Sequence, residues 1–204
     1  MRVISKDELY QGYLENVYQN TQGYLSYSTE ESQRLAEKGI CITYGELLYF
    51  GVEKILKNLK INKNTIFLDL GCGLGKTALQ IFMKTDIGKV IGIEAAKPLT
   101  DEALIVIESV KSEFPLFWEN NRTLELKCDN FLQASWQNAT IIYTCSTCFT
   151  QELLVAIGDK INQERQVEQV FSLRPLPTIQ LPLKKVFGVE CSWDSSLCFY
   201  YSLL

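Results

Sequence analysis

The stretch that decides the fold of this chain is residues 65–75, Thr-Ile-Phe-Leu-Asp-Leu-Gly-Cys-Gly-Leu-Gly. The apolar run from Thr65 to Asp69 predicts a buried strand, and three glycines follow before the helical pattern that contains Ala78. Glycine lets the backbone approach a ligand closely, and the first turn of a helix offers unpaired N–H groups. The stretch therefore predicts a strand, a ligand-binding turn and a helix in succession.

The spacing of the glycines excludes two common phosphate-binding turns. A dinucleotide fingerprint needs Gly-x-Gly-x-x-Gly, whereas here the glycines alternate from Gly71 to Gly75 and Lys76 follows them. A phosphate loop around Gly75-Lys-Thr needs a glycine at position 70, which is Leu70. We therefore expect the turn to bind a ligand other than a pyrophosphate.

Two acidic residues at the ends of predicted strands indicate the ligand. Asp69 ends the strand before the glycines, and Glu94 ends the next strand, Lys89–Glu94, 25 residues further along. A strand-end acid at about this offset accepts hydrogen bonds from the ribose hydroxyls. An acid beside the glycine turn repels phosphate and favours an ammonium group. S-adenosylmethionine carries a ribose and an ammonium but no phosphate, so we expect it to be the cofactor.

Strands and helices alternate along most of the chain, which predicts an α/β fold with a mainly parallel sheet. The later predicted strands are Thr123–Cys128, Thr140–Cys145, Val167–Leu173, Lys185–Cys191 and Leu197–Leu203. A short turn-like segment joins the last two, so they predict a terminal hairpin that adds an antiparallel strand. One helix is predicted to begin at an N-cap Thr100, with two acids in its first turn.

The composition excludes several function classes. Lys plus Arg is 20 and Asp plus Glu is 24, so the net charge of −4 argues against a nucleic-acid footprint over the whole chain. The absence of histidine excludes Ser-His-Asp and Cys-His catalytic groups and histidine-bound zinc. Seven cysteines, an odd number, favour a reducing compartment over a disulfide scaffold. Cys145 and Cys148 form one isolated pair, so we expect no metal site.

The N-terminal segment, residues 1–46, differs from the alternating part that follows it. Six of the ten tyrosines lie there, and apolar residues between Leu9 and Tyr18 recur at helical spacing. We expect residues 1–46 to form a helical and loop lid, and residues 47–204 to form the cofactor-binding domain. No stretch approaches the ~20 apolar residues of a membrane span, and Met1–Glu8 has no apolar signal core. These features predict a cytoplasmic protein, nuclear in a eukaryote, with no membrane partner.

Several short motifs resemble those of a known enzyme family. Residues 67–80, FLDLGCGLGKTALQ, and residues 90–96, VIGIEAA, resemble the first two motifs of class I S-adenosylmethionine-dependent methyltransferases. Further matches, in order, resemble the Dot-type (disruptor of telomeric silencing) histone lysine methyltransferases. These matches are Thr43-Tyr-Gly-Glu46, Cys128-Asp-Asn-Phe-Leu132, Ser172-Leu-Arg-Pro175, Ser192-Trp193 and Tyr200-Tyr201. The resemblance implies a Rossmann-like fold with a mainly parallel seven-stranded sheet, and methyl transfer to a protein lysine.

The resemblance also implies a set of cofactor contacts. They fall on Tyr44, Gly45 and Glu46 before the domain, on Asp69, Gly71, Gly73, Gly75 and Lys76 at the turn, and on Glu94, Asp129, Asn130 and Phe131. The contacts before the domain would close over the methionine tail, and Glu94 would hold the ribose. Phe131 would lie against adenine, and either Asp129 or Asn130 would bind the adenine amino group.

The chain departs from the family where the acceptor binds. The family's Asn-Asn-Phe-x-Phe segment corresponds here to Thr144-Cys-Ser-Thr-Cys-Phe149, so Phe149 is retained and Cys145 or Ser146 replaces the Asn of the reaction centre. An apolar or aromatic channel would lower the pKa of an acceptor lysine from about 10.4 by desolvating its ammonium. The candidate channel residues are Tyr200, Phe149, Ser146 and Tyr44.

Two alternatives to a protein-lysine methyltransferase remain open. The acceptor could be a small molecule or another group, because one fold hosts many chemistries. The chain could also be a regulatory module that binds the cofactor without turnover, because the family's Asn is replaced. The acidic chain ends at Leu204 without the basic extension of the nucleosome-binding enzymes, so we expect neither a nucleosome nor nucleic acid as partner.

Overall fold

The computed structural model describes residues 6–21, 28–37 and 45–204, so the expected site residue Tyr44 lies outside the described residues. The helices are α1 (Lys6–Val17), α2 (Thr29–Glu37), α3 (Tyr49–Leu56), α4 (Lys76–Lys84), α5 (Lys97–Glu113) and α6 (Gln151–Gln163), with a 3-10 helix at Pro115–Trp118. The strands are β1 (Ile66–Leu70), β2 (Lys89–Glu94), β3 (Thr123–Cys128), β4 (Ile141–Thr144), β5 (Gln169–Ser172), β6 (Leu183–Glu190) and β7 (Ser195–Ser202). In these described ranges, no helix has both the length and the apolar character that a membrane crossing requires.

The seven strands form one sheet in the order β3-β2-β1-β4-β5-β7-β6. Strands β1 to β5 are parallel to one another, whereas β7 runs antiparallel to both β5 and β6. This confirms the predicted α/β, Rossmann-like fold: a mainly parallel seven-stranded sheet with an antiparallel strand from the C-terminal hairpin. Parallel neighbours require crossover connections, so helices cover both faces of the sheet.

Apolar strand residues build one core on each face of the sheet. On one face, Phe67 packs in a cluster with side chains of α3, α4 and α5. On the other face, Leu68 packs with α6 and with Trp136, whose indole N–H donates to the Phe131 carbonyl at 2.8 Å. Because successive strand residues point to opposite faces, strands that are covered on both faces are apolar throughout.

The two N-terminal helices join the first of these cores. Leu14, Tyr18 and Leu35 are buried in the same cluster as the side chains of α3, α4 and α5. Leu14 lies on α1, Tyr18 directly follows that helix, and Leu35 lies on α2. The predicted lid therefore shares packing with the predicted domain, and the boundary at residue 46 stays a prediction.

The carboxyl ends of the parallel strands bring predicted site residues together. Asp69 of β1 lies between β2 on one side and Tyr143 of β4 on the other. Glu94 is the last residue of β2, and the hydroxyl of Thr144, the last residue of β4, donates to the Leu70 carbonyl at 3.1 Å. Open parallel sheets bind ligands at this edge, where the strand order reverses between neighbours such as β1 and β4.

Helix α5 begins earlier than the sequence predicts. The expected N-cap, Thr100, lies inside the helix, where its hydroxyl donates to the Ala96 carbonyl at 3.2 Å. Pro98 lies in the first turn, and its fixed φ favours a helix start ahead of Thr100. The N-cap is Ala96, which has no side-chain acceptor, so the first N–H groups of α5 need partners from elsewhere.

Candidate functional site

The turn between β1 and α4 is built on three glycines in the left-handed region. The φ angles of Gly71, Gly73 and Gly75 are 75°, 53° and 73°, which other residues adopt only with strain. The Gly71 N–H donates to the Ile93 carbonyl at 2.8 Å and ties the turn to the end of β2. A Cβ at Gly75 would lie 3.0 Å from Cδ1 of Leu126. Conformation and close packing therefore both favour glycine in this turn.

Asp69 is buried near the end of β1, and one of its side-chain oxygens has no hydrogen-bond partner among the described residues. Its exposed fraction is 2%, and no described residue forms a hydrogen bond with Oδ1. Burial raises the pKa of this carboxyl, and the negative charge of Glu94 raises it further. An unpartnered buried polar group costs about 1–3 kcal/mol, and more when it is charged. A cationic hydrogen-bond donor would therefore stabilise the Asp69 carboxylate.

Glu94 is held by backbone N–H groups from two neighbouring turns. Its Oε2 accepts from Gly73 at 3.0 Å, and its Oε1 accepts from Ala96 at 2.8 Å. Burial raises the pKa of Glu94, and these backbone hydrogen bonds offset part of the rise. Each carboxylate oxygen has a second acceptor position, so Glu94 can still accept from two adjacent hydroxyls.

Lys76, the first residue of α4, joins the glycine turn to the N-terminal part of the chain. Its ammonium lies 2.7 Å from Oε1 of Glu46 and 5.1 Å from the centroid of the Tyr18 ring. Tyr18 donates to the Leu74 carbonyl within the turn at 3.2 Å. A cation, an anion and an aromatic ring from three separate parts of the chain therefore meet beside the glycines.

Gly45 and Glu46 lie against the turn of the C-terminal hairpin. The Ser192 N–H donates to the Glu46 carbonyl at 2.9 Å, and the Glu46 N–H donates to the Ser192 hydroxyl at 3.3 Å. A Cβ at Gly45 would lie 2.4 Å from Cζ3 of Trp193, so glycine is what allows the indole to approach. Two motifs that are separated by 146 residues in sequence are therefore one structural unit.

The residues expected to bind adenine form a turn after β3. Phe131 is buried, and its ring stacks on Phe149 with centroids 5.8 Å apart. Oδ1 of Asn130 accepts the Leu132 N–H at 2.9 Å, so this amide oxygen stabilises the turn itself. Asp129 is exposed, and its Oδ1 accepts the Asn130 N–H at 2.7 Å. Because a carboxylate has a second oxygen, this arrangement favours Asp129 over Asn130 as the acceptor for an amino group.

Phe149, one of the expected channel residues, lies beside the glycine turn. A Cβ at Gly71 would be 3.4 Å from Cζ of Phe149, which is ordinary van der Waals contact. Phe149 also stacks on Phe131, and its carbonyl accepts a hydrogen bond from the Arg174 guanidinium. The ring therefore lies between the turn and the predicted adenine side of the site.

Ser146 and Tyr200, the other expected channel residues, have internal partners. The Ser146 hydroxyl is fully buried, lies 2.8 Å from the Ser172 hydroxyl and accepts the Arg174 N–H at 3.0 Å. Tyr200 donates at 3.2 Å to the side chain of Gln169, the first residue of β5, at the strand end away from the glycine turn. The Ser146 hydroxyl therefore joins the ends of β4 and β5, and the Tyr200 hydroxyl bonds at the opposite end of β5; their role in a substrate channel stays a prediction.

Some residues beside the site were not singled out by the sequence. Tyr18 belongs to an ordinary helical stripe, and Trp193 belongs to a family motif to which no contact was assigned. Arg34 donates to the Ala95 carbonyl at 2.6 Å, directly beside Glu94. These residues reach the site through contacts between segments that are distant in sequence. The one sequence feature that pointed toward them is the high tyrosine content of the N-terminal segment.

Cys145, one of the two residues that could replace the family's Asn, contacts Gly45. The described cysteines are free thiols, namely Cys72, Cys128, Cys145, Cys148, Cys191 and Cys198. Cys145 donates to the Gly45 carbonyl at 3.4 Å, and burial raises the pKa of its thiol. Within the ranges that the structure describes, no three metal-ligating side chains come together. Cys145 therefore presents a neutral thiol to the site.

We expect Asp69→Asn to stabilise the ligand-free protein by about 1–3 kcal/mol at neutral pH, because it replaces a buried carboxyl, whose ionised form is disfavoured by burial and by the charge of Glu94, with a neutral amide of the same shape. The folded state raises the pKa of Asp69, so the folded protein binds this proton more tightly than the unfolded chain does. The associated stability is present at low pH and is lost as the pH rises from about 4 through the raised pKa. Chemical denaturation of both proteins across this range measures the difference, which should grow with pH.

The control for this prediction is Asp159→Asn, at an exposed position on α6. This variant should keep the pH dependence of the native protein. If Asp69→Asn also keeps the native pH dependence, the raised pKa of Asp69 does not contribute to stability.

Comparison with known proteins identifies relatives of this chain. A family model described as "Histone methylation protein DOT1" matches residues 28–187, more than half of the chain. Carboxy-S-adenosyl-L-methionine synthase of Idiomarina loihiensis is 28% identical over 85 residues, which cover 40% of this chain and 32% of that protein. The match therefore spans about a third of the length of this curated relative.

Solved structures with a similar fold include M. capricolum TrmK and an RNA methyltransferase. M. capricolum TrmK, in complex with S-adenosyl-homocysteine, has a TM-score of 0.56 at 11% identity, covering 76% of this chain and 69% of that chain. An RNA methyltransferase from Salinibacter ruber, in complex with S-adenosyl-L-homocysteine, has a TM-score of 0.53 at 12% identity, covering 74% and 89%. These likenesses show the fold. The family match, which includes the glycine turn and both strand-end acids, shows that the chain belongs to the DOT1 histone methylation protein family.

Proposed function

We propose that the protein is an S-adenosylmethionine-dependent methyltransferase whose acceptor is a lysine side chain of a protein. The observation that carries the cofactor part of the proposal is the buried Asp69 oxygen, unpartnered within the described residues, beside the glycine turn. The ammonium of the cofactor's methionine tail is the kind of cationic donor that this carboxylate lacks. A phosphate at the same position would be repelled, which favours this cofactor over a nucleotide.

Other described residues each contact a different part of the cofactor in this proposal. Glu94 accepts from the ribose hydroxyls, and Asp129 and Phe131 offer an acceptor and an aromatic face to adenine. Lys76 and Glu46 are paired beside the turn, and together they offer one charge of each sign to the zwitterionic methionine tail. The bound cofactor supplies an electrophilic sulfonium methyl group. The surrounding residues align the acceptor and exclude water.

A lysine acceptor is supported by the family and by the side chains around the methyl end. The description of the matching family model names histone methylation. Phe149, Trp193 and Cys145 are aromatic or weakly polar, and Cys145 contacts Gly45, which also packs on Trp193. Such surroundings desolvate an ammonium and lower its pKa from about 10.4, which frees the amine for attack.

We expect Glu94→Ala to weaken S-adenosylmethionine binding by about 1.5–3 kcal/mol, the scale of hydrogen bonds to a charged group. Isothermal titration calorimetry of the native protein should detect S-adenosylmethionine and S-adenosylhomocysteine but neither NAD nor ATP. Glu108→Ala, which changes an exposed acid on α5, is the control and should bind like the native protein. Unchanged affinity of Glu94→Ala would contradict the ribose assignment, and a native protein that does not bind S-adenosylmethionine would contradict the proposed function.

We expect the protein to transfer the methyl group of the cofactor to lysine side chains. Incubating the protein with methyl-labelled S-adenosylmethionine and fractionated lysate, then hydrolysing the labelled product, should yield methylated lysine. Asp69→Ala, which removes the proposed ammonium partner, should give no label. Label in RNA or in small molecules would contradict a lysine acceptor and identify the other class of acceptor. Cofactor binding without methyl transfer to any fraction would favour a regulatory module.

We also propose that residues 1–46 act as a lid on the domain formed by residues 47–204. The contacts of Tyr18 and Glu46 with the glycine turn support this division of roles. Adding S-adenosylhomocysteine should slow amide hydrogen exchange in α1 and in residues 45–50 as well as in the turn. NAD at the same concentration is the control and should change nothing. If exchange slows only in residues 67–76 and 90–95, the lid role is contradicted, and the N-terminal segment only packs against the domain.

A further inference from the structure

The turn that joins β2 to α5 has no side chain of its own that holds it in place. Its residues are Ala95 and Ala96, and Ala96 is the N-cap of α5 without a side-chain hydrogen bond. The Lys97 N–H belongs to the first turn of the helix and therefore needs an acceptor from outside the helix. Glu94 directly precedes this turn, so the position of its carboxylate depends on the conformation of the turn.

Helix α2 supplies the missing partners. Oε1 of Glu31 accepts the Lys97 N–H at 3.2 Å, and Nη2 of Arg34 donates to the Ala95 carbonyl at 2.6 Å. Glu31 thus takes the place of the missing cap of α5, and its negative charge lies at the helix end where the dipole favours an anion. The turn is therefore held from a helix that lies more than 60 residues earlier in the chain.

Glu31 and Arg34 also hold each other. Nε and Nη2 of Arg34 donate to the two carboxylate oxygens of Glu31, each at 2.7 Å, in the forked geometry that a guanidinium favours. The Ser28 hydroxyl accepts the Glu31 N–H at 3.1 Å and caps α2, and Leu35 is fully buried. The pair is therefore fixed on an anchored helix before any ligand arrives.

The same turn is bonded to Glu94 on its inner side. The Ala96 N–H that donates to Oε1 of Glu94 lies between the two backbone groups that Glu31 and Arg34 hold. We propose that Glu31 and Arg34 are positioning residues that fix Glu94 for recognition of the ribose. This inference rests on the proposed cofactor, and it gives α2 a specific role in selecting a ribose-containing ligand.

A comparison of two ligands tests the inference. Calorimetry should show that the native protein binds S-adenosylhomocysteine more tightly than its analogue without the ribose 2′- and 3′-hydroxyls. Arg34→Gln should lose about five- to tenfold in affinity for S-adenosylhomocysteine and less than about twofold for the analogue, because the loss acts through the ribose contact of Glu94. Arg34→Lys keeps the charge without the fork and should be intermediate. Gln33→Ala, an exposed position on the same helix, should match the native protein with both ligands.

Each outcome bears on a distinct claim. Equal losses for the two ligands, or no loss for either, would overturn the positioning role, because a general structural effect does not depend on the ribose hydroxyls. Circular dichroism confirms that each variant is folded, and the ligand ratio within one variant is independent of its stability. A native protein that binds neither ligand would overturn the proposed function and this inference with it. A native protein that binds both ligands equally would overturn the ribose role of Glu94 alone.

Discussion

Burial of an acidic side chain beside the glycine turn is the constraint on which the rest of the site depends. Asp69 lies on an interior strand, where its ionised form is unfavourable unless a cation or several donors compensate for the lost water. Lys76 is close along the chain, but its ammonium is paired with Glu46. The three left-handed glycines bring backbone rather than side chains to this edge. A cationic group of the proposed ligand would therefore compensate the charge of Asp69 at this edge.

The topology of the sheet explains why both ends of the chain meet at this site. Because β7 runs antiparallel to β5, the turn between β6 and β7 returns to the carboxyl edge of the parallel strands. That turn carries Ser192 and Trp193, which pack on Glu46 and Gly45. The N-terminal helices reach the same edge from the other direction, through Tyr18 and Arg34. Segments from both ends of the chain therefore meet at the edge that carries Asp69 and Glu94.

Local patterns in the sequence predicted the sheet well because strands that are buried on both faces carry continuous apolar runs. The predicted bounds of β2 and β3 coincide with those observed, and the glycine turn with its two acids lies where the strand ends required. The predicted start of α5 at Thr100 was wrong. Thr100 with two acids after it resembles an N-cap, but the helix begins at Lys97 and Pro98 lies in its first turn. The cap that the helix does have comes from Glu31, and no local pattern identifies a partner from another helix.

Side-chain direction within the site was harder to predict than strand position. Ser146 and Tyr200 follow or lie in strands that were correctly identified, yet their hydroxyls bond to Ser172 and Gln169, which are 26 and 31 residues away. The requirement for glycine at position 45 likewise comes from the indole of Trp193 and not from the turn in which Gly45 lies. Such contacts follow from the packing of distant segments, which periodicity and spacing do not encode.

The side chains at the methyl end set a further requirement on the proposed acceptor. A lysine arrives from water as an ammonium and must lose a proton before it can attack. Burial raises the pKa of the Cys145 thiol, so this group is neutral and does not accept a proton near neutral pH, and Phe149 and Trp193 carry no base. Asp69, whose pKa is also raised, is the proposed partner of the cofactor's ammonium. Among the described side chains that we propose around the methyl group, none is a general base. For a lysine acceptor we therefore propose that the proton passes to water before the amine is enclosed, and that desolvation of the ammonium sets the reactive fraction.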